Sequence, residues 1–215
     1  MDDDRYSQFR CPKGEIGNSV LVEMNEHHRP LTEWALSNLP DMEPMTILDI
    51  GCGGGMMISL LGERYCDSAI VGIDISEDSV EYARHVNSDL IAEGRCDIRR
   101  CSVDDMPFAD GIVDLAVSCE SYFFWPDLID AAEEISRVVK DGGYAVIISE
   151  SYPHPDFDER NGENSRLTGM RLVSNDYMEA LLGTFGFSVT ALTYPENNWI
   201  MFIAKKDLSS AVFFS

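Results

Sequence analysis

Short apolar runs and longer segments of helical periodicity alternate along most of the chain. The runs at residues 46–50 (TILDI) and 69–75 (AIVGIDI) are mostly apolar, which is typical of buried strands. Residues 56–65 predict a helix between them, and Ser76 is placed to cap the helix that follows the second run. Further strands are predicted at 96–103, 113–119, 144–150, 187–194 and 198–206, and further helices at 127–140 and 175–185.

Strands that alternate with helices pair in parallel, and the helices then cover both faces of the sheet. The last two predicted strands are separated by a turn too short for a helical crossover, so they should form an antiparallel hairpin at one edge. The turn at residues 141–143 (Asp-Gly-Gly) should end the helix that precedes the fifth strand. The pattern predicts an α/β fold with an open, doubly wound, mostly parallel sheet.

Segments at both ends of the chain lie outside this alternation of strands and helices. Residues 1–18 lack periodicity and are expected to be flexible. Residues 19–45 have helical spacing and are expected to form a helical cap, with Pro30 indicating a break or a second helix start. Residues 46–207 contain the predicted sheet. The apolar tail at 208–215 is a candidate for docking or for forming a homodimer.

Charge and composition limit the classes of partner. The 16 basic and 38 acidic side chains give a formal net charge of −22, which would repel nucleic acids, whereas a small or cationic ligand is compatible with it. The alternative is that the acidic side chains serve only to keep the protein in solution. An acidic, polar N-terminus and the lack of a long apolar stretch predict neither a secretory signal nor a membrane span. The six cysteines show no metal-binding spacing, so we expect a cytoplasmic protein with reduced thiols and no metal site.

A glycine-rich turn, LDIGCGGG, follows the first predicted strand. Glycines allow positive φ angles there and let a ligand approach the backbone and the start of the next helix. A dinucleotide-binding turn needs a third glycine at the sixth position counted from Gly51, where this chain has Met56. Asp49, two residues before the turn, would repel a pyrophosphate but suits an amino-acid ammonium. The turn therefore favours a ligand with a methionine-like end over a dinucleotide.

Asp74 ends the second predicted strand, nineteen residues after Gly55. A carboxylate at this position can accept hydrogen bonds from both ribose hydroxyls of an adenosine. Dinucleotide-binding folds use the same position, so Asp74 alone does not separate the two ligand classes. The combination of Asp49, Met56 and Asp74 does.

With these motifs, the chain resembles the class I S-adenosylmethionine (SAM)-dependent methyltransferases. Within them it is most similar to the small-molecule enzymes that include the ubiquinone/menaquinone C-methyltransferases. The resemblance covers about residues 47–206, and its blocks are ILDIGCGGG, VGIDISEDSVEYAR, CSVDDMPFADGIVDLAVSCESYFFWPD and EEISRVVKDGGYAVIISE. It implies a seven-stranded, Rossmann-like sheet in the order 3-2-1-4-5-7-6, with strand 7 antiparallel. It also implies methyl transfer from SAM to a small molecule, with S-adenosylhomocysteine as product.

The resemblance also implies a set of cofactor-binding residues. Asp74 would hold the ribose, and Ile75 would lie against the adenine. Where the family has an Asp that binds the adenine amino group, this chain has Ser102, which leaves Ser102 and the Val103 N–H, or Asp104, for that contact. The methionine end would be lined by Asp49, Gly51, Cys52 and Gly53, and the sulfonium by Ser118 and Cys119.

Two titratable side chains are candidates for contact with the acceptor. His28 lies in MNEHHRPLTEW, a segment that resembles the active-site cap of similar enzymes, and the alternative is a surface or helix-capping histidine. Glu120 directly follows the fourth predicted strand, and the alternative is a structural hydrogen bond.

The aromatic run at 122–125 either packs against the sheet or forms the wall of a substrate site. His154 is either a surface residue or part of a covering loop.

Three functions remain open at this point. The first is a small-molecule methyltransferase. The second is a SAM-binding protein without catalysis, because a fold does not determine a function. The third, which Asp49 and Met56 disfavour, is an NAD-dependent oxidoreductase.

Overall fold

A computed structural model describes residues 2–208, and the tail predicted to dock or dimerise lies outside it from residue 209 onwards. The strands are β1 (Thr46–Ile50), β2 (Ala69–Asp74), β3 (Cys96–Arg100), β4 (Val113–Cys119), β5 (Val139–Ser149), β6 (Phe187–Tyr194) and β7 (Trp199–Lys206). The helices are α1 (Asp2–Ser7), α2 (Gly14–Ser37), α3 (Met56–Arg64), α4 (Glu77–Val86), α5 (Ser88–Ala92), α6 (Leu128–Val138), α7 (Asp158–Thr168) and α8 (Asn175–Thr184).

The seven strands form one sheet in the order β3-β2-β1-β4-β5-β7-β6. β1 pairs in parallel with both β2 and β4, whereas β7 is antiparallel to β5 and β6. This confirms the predicted fold class, strand order and reversed strand. The direction of the chain through the sheet changes between β1 and β4, and ligands of such folds bind beside that point at the carboxyl ends of the strands.

Two apolar clusters hold the sheet between its helices. Along β1, Ile47 points to one face and Leu48 to the other, as the period-2 alternation of a strand requires. One cluster packs the sheet against α2, α3 and α4, and the other packs it against α6 and α8. Because both faces are covered, the strand ends are left as the accessible edges for a ligand.

Local capping interactions match the sequence. The Ser76 side chain accepts a hydrogen bond from the Ser79 N–H at the start of α4, and Ser174 accepts one from the Tyr177 N–H at the start of α8. Each bond satisfies a backbone donor that the first helical turn leaves without an intrahelical partner.

Three boundaries differ from the prediction. α2 begins at Gly14 and continues through Pro30 without a second start, because Leu31 and Ala35 bury the following turns against the sheet. α6 ends at Val138, and the Asp-Gly-Gly segment at 141–143 lies within β5. β3 ends at Arg100 and leaves residues 101–103 in a loop. The flexibility expected of residues 1–18 stays a prediction, although α1 and the start of α2 lie there.

No helix among residues 2–208 combines the length and the apolar character that crossing a bilayer requires.

Candidate active site

A cleft of about 970 Å³, including its open mouth, lies at the carboxyl ends of β1, β2 and β4. α2 closes one side of it with Met24, Asn25, His28 and Thr32. Of the twelve residues predicted from the sequence to form the site, the cleft is lined by Asp49, Gly51, Cys52, Gly53, Asp74, Ile75, Ser102, Val103, Cys119, Glu120 and His28. Ser118 is not among the lining residues.

The glycine turn forms the floor of the cleft. Gly51 has a φ of +73° and Gly53 a φ of +49°, both in the left-handed region that favours glycine. A Cβ on Gly51 would lie 2.5 Å from the Cβ of Ser121, so this glycine permits close packing with the segment after β4. A Cβ on Gly53 would meet no described atom closer than 4.0 Å. The face of Gly53 is therefore open to a ligand.

Asp49 is a buried carboxylate with an unsatisfied atom. Its side chain is almost fully buried at the end of β1, and Oδ2 has no hydrogen-bond partner within the described residues. Burial, followed by repulsion from Asp74, raises the pKa of Asp49 to about 8. A cationic donor in the cleft would satisfy Oδ2 and stabilise the ionised carboxylate, as the ammonium of an amino acid does.

Asp74 is held in place by the backbone. Oδ2 accepts a hydrogen bond from the Gly53 N–H at 2.9 Å, and Oδ1 accepts one from the Ser76 N–H at 2.8 Å. Burial raises the pKa of Asp74 even though these N–H groups favour its charged form. The carboxylate therefore faces the cleft in a fixed position next to the glycine turn.

The outer end of the cleft is lined by Ile75 and by the loop after β3. Ile75 lines the cleft and is 38% exposed, so its side chain is available to a ligand there. Ser102 and Val103 lie in the loop, which is fixed by a hydrogen bond from the Cys101 N–H to the Asp74 carbonyl at 2.9 Å. Asp104, the alternative adenine partner, is not among the lining residues.

The end of β4 differs from the prediction at one position. Ser118 is buried behind the cleft, and its hydroxyl shares a hydrogen bond of 2.7 Å with that of Ser121. The Ser121 hydroxyl also donates to the Ile50 carbonyl at 2.9 Å and lines the cleft itself. Strand alternation explains this, because Ser118 and Cys119 point to opposite faces of the sheet. Ser121 thus occupies the place that the sequence assigned to Ser118.

A second cavity of about 1120 Å³, including its open mouth, adjoins the cleft. Its lining combines apolar and aromatic side chains, among them Phe9, Leu167 and Met170, with polar ones that include His27 and Glu150. The two cavities share Phe9, Met24, His28, Glu120 and Phe124. A molecule in the second cavity would therefore meet a ligand in the cleft at these five side chains.

Two of the shared residues, His28 and Glu120, are polar and buried. Nε2 of His28 lies 4.0 Å from Oε2 of Glu120. Glu120 has a φ of +55°, rare for a residue with a side chain, and its Oε1 accepts a hydrogen bond from the Glu150 N–H at 2.5 Å. Burial lowers the pKa of His28 to about 4. Burial and the charge of Glu150 raise the pKa of Glu120.

The aromatic run divides between the two roles considered for it. Tyr122, Phe123 and Trp125 are buried in the core that packs against α6 and α8, although Trp125 also borders the cleft and Phe123 the second cavity. Phe124 is only partly buried and lines both cavities. His154 is absent from both linings and accepts a hydrogen bond from the Asp156 N–H at a short helical turn, in accordance with a structural role.

The site contains several residues that the sequence did not indicate. Phe9 and Arg10 come from the segment predicted to be flexible, and Asn25 donates from α2 to the Gly54 carbonyl at 3.0 Å. Phe9 and Arg10 lie in a stretch without periodicity, and the helical spacing around Asn25 does not show which ligand a face meets. Glu150 and His27 also line the second cavity, although 123 positions separate them in the chain.

Comparison with known proteins agrees with this architecture. Residues 48–147 match the family described as "Methyltransferase domain". O-methyltransferase cnsE of Penicillium expansum is 32% identical over 148 residues, which are 68% of this chain and 53% of that protein. Sterol methyltransferase-like 3 of Botryococcus braunii is 28% identical over 150 residues, 67% of this chain and 37% of that protein. The chain spans between 37% and 60% of the length of three such curated relatives.

Solved structures share the fold at low sequence identity. A putative methyltransferase in complex with the Trm112 methyltransferase activator of Haloferax volcanii superposes with a TM-score of 0.79 and 19% identity, covering 89% of this chain and 95% of that one. Geranyl diphosphate C-methyltransferase from Streptomyces coelicolor A3(2), solved with Mg²⁺, geranyl diphosphate and S-adenosyl-L-homocysteine, has a TM-score of 0.74 and 18% identity, covering 90% and 84%. By the family match, the curated relatives and the strand order, residues 48–147 are similar to methyltransferase domains of this fold.

Proposed function

We propose that this protein transfers a methyl group from SAM to a small-molecule acceptor. The observation that carries the proposal is a cleft containing an unsatisfied buried carboxylate, Asp49, which meets a second cavity at shared side chains. The cleft supplies a place for the cofactor, and the second cavity supplies a place for the molecule that receives the methyl group. A methyltransferase needs both in contact.

The proposed cofactor placement follows the polarity of the cleft. Asp49 would pair with the ammonium of the methionine end, above the open face of Gly53. The fixed carboxylate of Asp74 would accept hydrogen bonds from the ribose hydroxyls. The remaining proposed contacts are Gly51 and Cys52 along the methionine end, Ile75, Ser102 and the Val103 N–H around the adenine, and Cys119 near the sulfonium.

Methyl transfer requires mainly that the acceptor and the methyl group are aligned. SAM, when bound, supplies a methyl group already activated for displacement by its sulfonium. The protein's share is to hold the acceptor in line with that group and to exclude water, which α2 and the aromatic side chains are placed to do. His28 and Glu120 are the polar groups at the junction, and we assign them contact with the acceptor's O–H or N–H group.

The acceptor class is inferred from the walls of the second cavity. Phe9, Phe124, Leu167 and Met170 favour an apolar or aromatic body, and the polar lining groups, among them His28 and Glu120, would meet a polar group of the acceptor. Relatives named as O-methyltransferases and as a sterol methyltransferase are compatible with such a body. Kinship with the ubiquinone/menaquinone C-methyltransferases stays a prediction within this proposal.

The two cavities and the buried carboxyl groups also bear on the two alternative functions. A SAM-binding protein without catalysis would need no cavity beyond the sulfonium, so the adjoining second cavity argues for catalysis. An oxidoreductase would place a pyrophosphate near the buried carboxyl groups of Asp49 and Asp74, which repel it when ionised and supply no positive charge when protonated.

Isothermal calorimetry with SAM, S-adenosylhomocysteine and NADH tests cofactor choice. We expect one site for SAM and for S-adenosylhomocysteine and no heat from NADH. Transfer of a labelled methyl group from SAM to a panel of apolar phenols, amines and carboxylic acids then tests catalysis. Binding of NADH without S-adenosylhomocysteine would refute the proposal. Cofactor binding without transfer to any member of a broad panel would favour the non-catalytic alternative.

Three further expectations belong to this proposal. The net charge of −22 favours a small molecule over a nucleic acid as substrate, and electrophoretic mobility of DNA and RNA with the protein tests this. The homodimer also stays a prediction, and the molar mass measured in solution by light scattering tests it. The cytoplasmic location stays a prediction for fractionation of cells that express the full chain.

A further inference from the structure

Two imidazoles and a carboxylate converge at the wall of the second cavity. Nε2 of His27 lies 2.9 Å from Oε2 of Glu150, and Nε2 of His28 lies 4.0 Å from Oε1 of the same carboxylate. One donor atom from each of the three residues falls within 4.8 Å of the other two. The spacing of cysteines and histidines along the chain predicts no metal site. It could not reveal this cluster, because the cluster joins α2 to the residue after β5, which lies far away in the sequence.

The separations fit a bound transition metal. Zinc binds imidazole nitrogen at about 2.0–2.1 Å and carboxylate oxygen at about 2.0–2.2 Å, so nitrogen and oxygen across the metal lie about 2.9–3.4 Å apart for angles of 90–109°. The observed 2.9 and 4.0 Å bracket that range. A movement of the His28 ring that shifts Nε2 by about 0.6–1.1 Å would bring it to coordination distance of an ion held with Glu150.

The backbone around Glu150 is fixed in advance. Its N–H donates to Oε1 of Glu120, and its carbonyl accepts a hydrogen bond from the Arg160 guanidinium at 2.9 Å. The two histidines are carried by a helix packed on the sheet. Donors held by rigid elements lose little freedom when they bind an ion, which favours binding.

The donor set also selects the class of ion. Two imidazoles with one carboxylate favour zinc and its first-row neighbours over Mg²⁺ or Ca²⁺, which prefer oxygen ligands alone. Three protein ligands leave at least one coordination position open, the arrangement of catalytic rather than structural zinc sites. All three residues line the second cavity, and the side chain of His27 is 66% exposed, so an ion can enter from solvent.

We propose that His27, His28 and Glu150 bind one divalent transition-metal ion, with Zn²⁺ the best match, at the wall of the second cavity. The role of the ion rests on the proposed function. An oxygen of the methyl acceptor would bind at the open position, and the ion would lower the affinity of that oxygen for its proton. Oε2 of Glu120, 4.0 Å from Nε2 of His28, would lie close enough to accept a hydrogen bond from a group on the ion.

Calorimetric titration of the full chain with Zn²⁺, after removal of metals by a chelator, tests the site. We expect one Zn²⁺ per chain, and we expect His27→Ala and Glu150→Gln each to weaken binding by roughly tenfold or more. His85→Ala is the matched control, because it removes an exposed imidazole from α4 and should leave the affinity unchanged. Neither His27 nor Glu150 lines the cofactor cleft, so S-adenosylhomocysteine binding by both variants verifies their fold.

Two measurements separate the proposed ligands from the free cysteines, of which Cys66 is exposed. The visible spectrum of the Co²⁺-loaded protein should lack thiolate charge-transfer bands. Anomalous diffraction at the zinc edge should place the ion next to Nε2 of both histidines. Thiolate bands, or affinities for His27→Ala and Glu150→Gln equal to that of His85→Ala, would overturn the metal site and leave an ordinary His27–Glu150 ion pair. Either result leaves SAM binding untouched, so failure here is distinct from failure of the proposed function.

Discussion

The backbone N–H of Gly53 donates a 2.9 Å hydrogen bond to Oδ2 of Asp74, which ties the turn after β1 to the end of β2. The Ser76 N–H binds the other oxygen of the same carboxylate. Asp74 therefore has two tasks, because it fixes the glycine turn and also faces the cleft. A substitution at this position should disturb both.

Replacement of Asp74 by alanine should weaken the binding of S-adenosylhomocysteine by ~1.5–3 kcal/mol, or roughly 10- to 150-fold. The loss combines the hydrogen bonds to the ribose with the loosening of the turn that Gly53 anchors. Calorimetry on the purified variant measures the affinity. The matched control is Asp97→Ala, which removes a partly exposed carboxylate from the neighbouring strand β3. Equal affinity of Asp74→Ala and the control would contradict the assignment of Asp74.

Substitutions at Gly53 and Gly51 should have different consequences although both glycines have positive φ. An alanine at Gly53 meets only open space, so we expect a backbone cost of about 1–2 kcal/mol in the free energy of unfolding and a clear loss of cofactor affinity. An alanine at Gly51 also collides with Ser121 at 2.5 Å, which should cost roughly 1–3 kcal/mol more. Urea denaturation and calorimetry measure the two effects.

Gly94→Ala is the control for this comparison. Gly94 has a φ of +73° and open space around it, but it lies after α5 and outside the cleft lining. It should reproduce the backbone cost of Gly53→Ala while binding S-adenosylhomocysteine as the wild type does. If Gly53→Ala also keeps wild-type affinity, the open face of Gly53 is not the cofactor's floor.

Asp49 should make the stability of the unliganded protein depend on pH. Burial raises its folded-state pKa to about 8 from a usual 3.8, so the folded chain keeps a proton that the unfolded chain releases between those values. The free energy of unfolding should therefore fall as the pH rises from about 4 to 8, by up to about 1.4 kcal/mol per pH unit from this group. Asp49→Asn removes this contribution. Its stability relative to the wild type should therefore increase with pH.

Urea denaturation of both proteins at pH 5.5 and 7.5 checks the sign. The comparison between variant and wild type isolates Asp49 from Asp74 and Glu120, whose raised pKa values act in the same direction. A stability difference that stays constant between the two pH values would show that Asp49 is ionised in the folded protein without a ligand. The variant should also bind SAM more weakly, since an amide cannot form an ion pair with the ammonium.

The parts of the fold that were predictable are those with a local signal. Strand runs, the glycine turn, the cap at Ser76 and the acid at Asp74 each depend on residues close together in the sequence. The same local reasoning was wrong at Pro30, where burial of the flanking turns outweighs the missing hydrogen bond. Propensity is overridden where tertiary packing decides.

The parts that were missed depend on long-range convergence. Glu150 meets His27 only because the sheet order brings the end of β5 under α2. The choice between Ser118 and Ser121 depends on the direction of each side chain at the strand end and on the positive φ of Glu120 between them. A single sequence carries no signal for either of these relationships.

Neighbouring phenylalanines provide the last test, because Phe124 lies at the junction of the two cavities, whereas Phe123 is buried in the core and borders the second cavity alone. Phe123 is 2% exposed in the core, so Phe123→Ala should cost about 3–5 kcal/mol of unfolding free energy. Phe124 is partly buried at the junction of the two cavities, so Phe124→Ala should cost less than about 1.5 kcal/mol but raise the KM for an identified acceptor. Urea denaturation and steady-state kinetics measure both quantities on the same preparations. Destabilisation of Phe124→Ala as large as that of Phe123→Ala would mean that the whole aromatic run serves packing. The wall of the acceptor cavity would then have to be sought on α2 and the N-terminal segment.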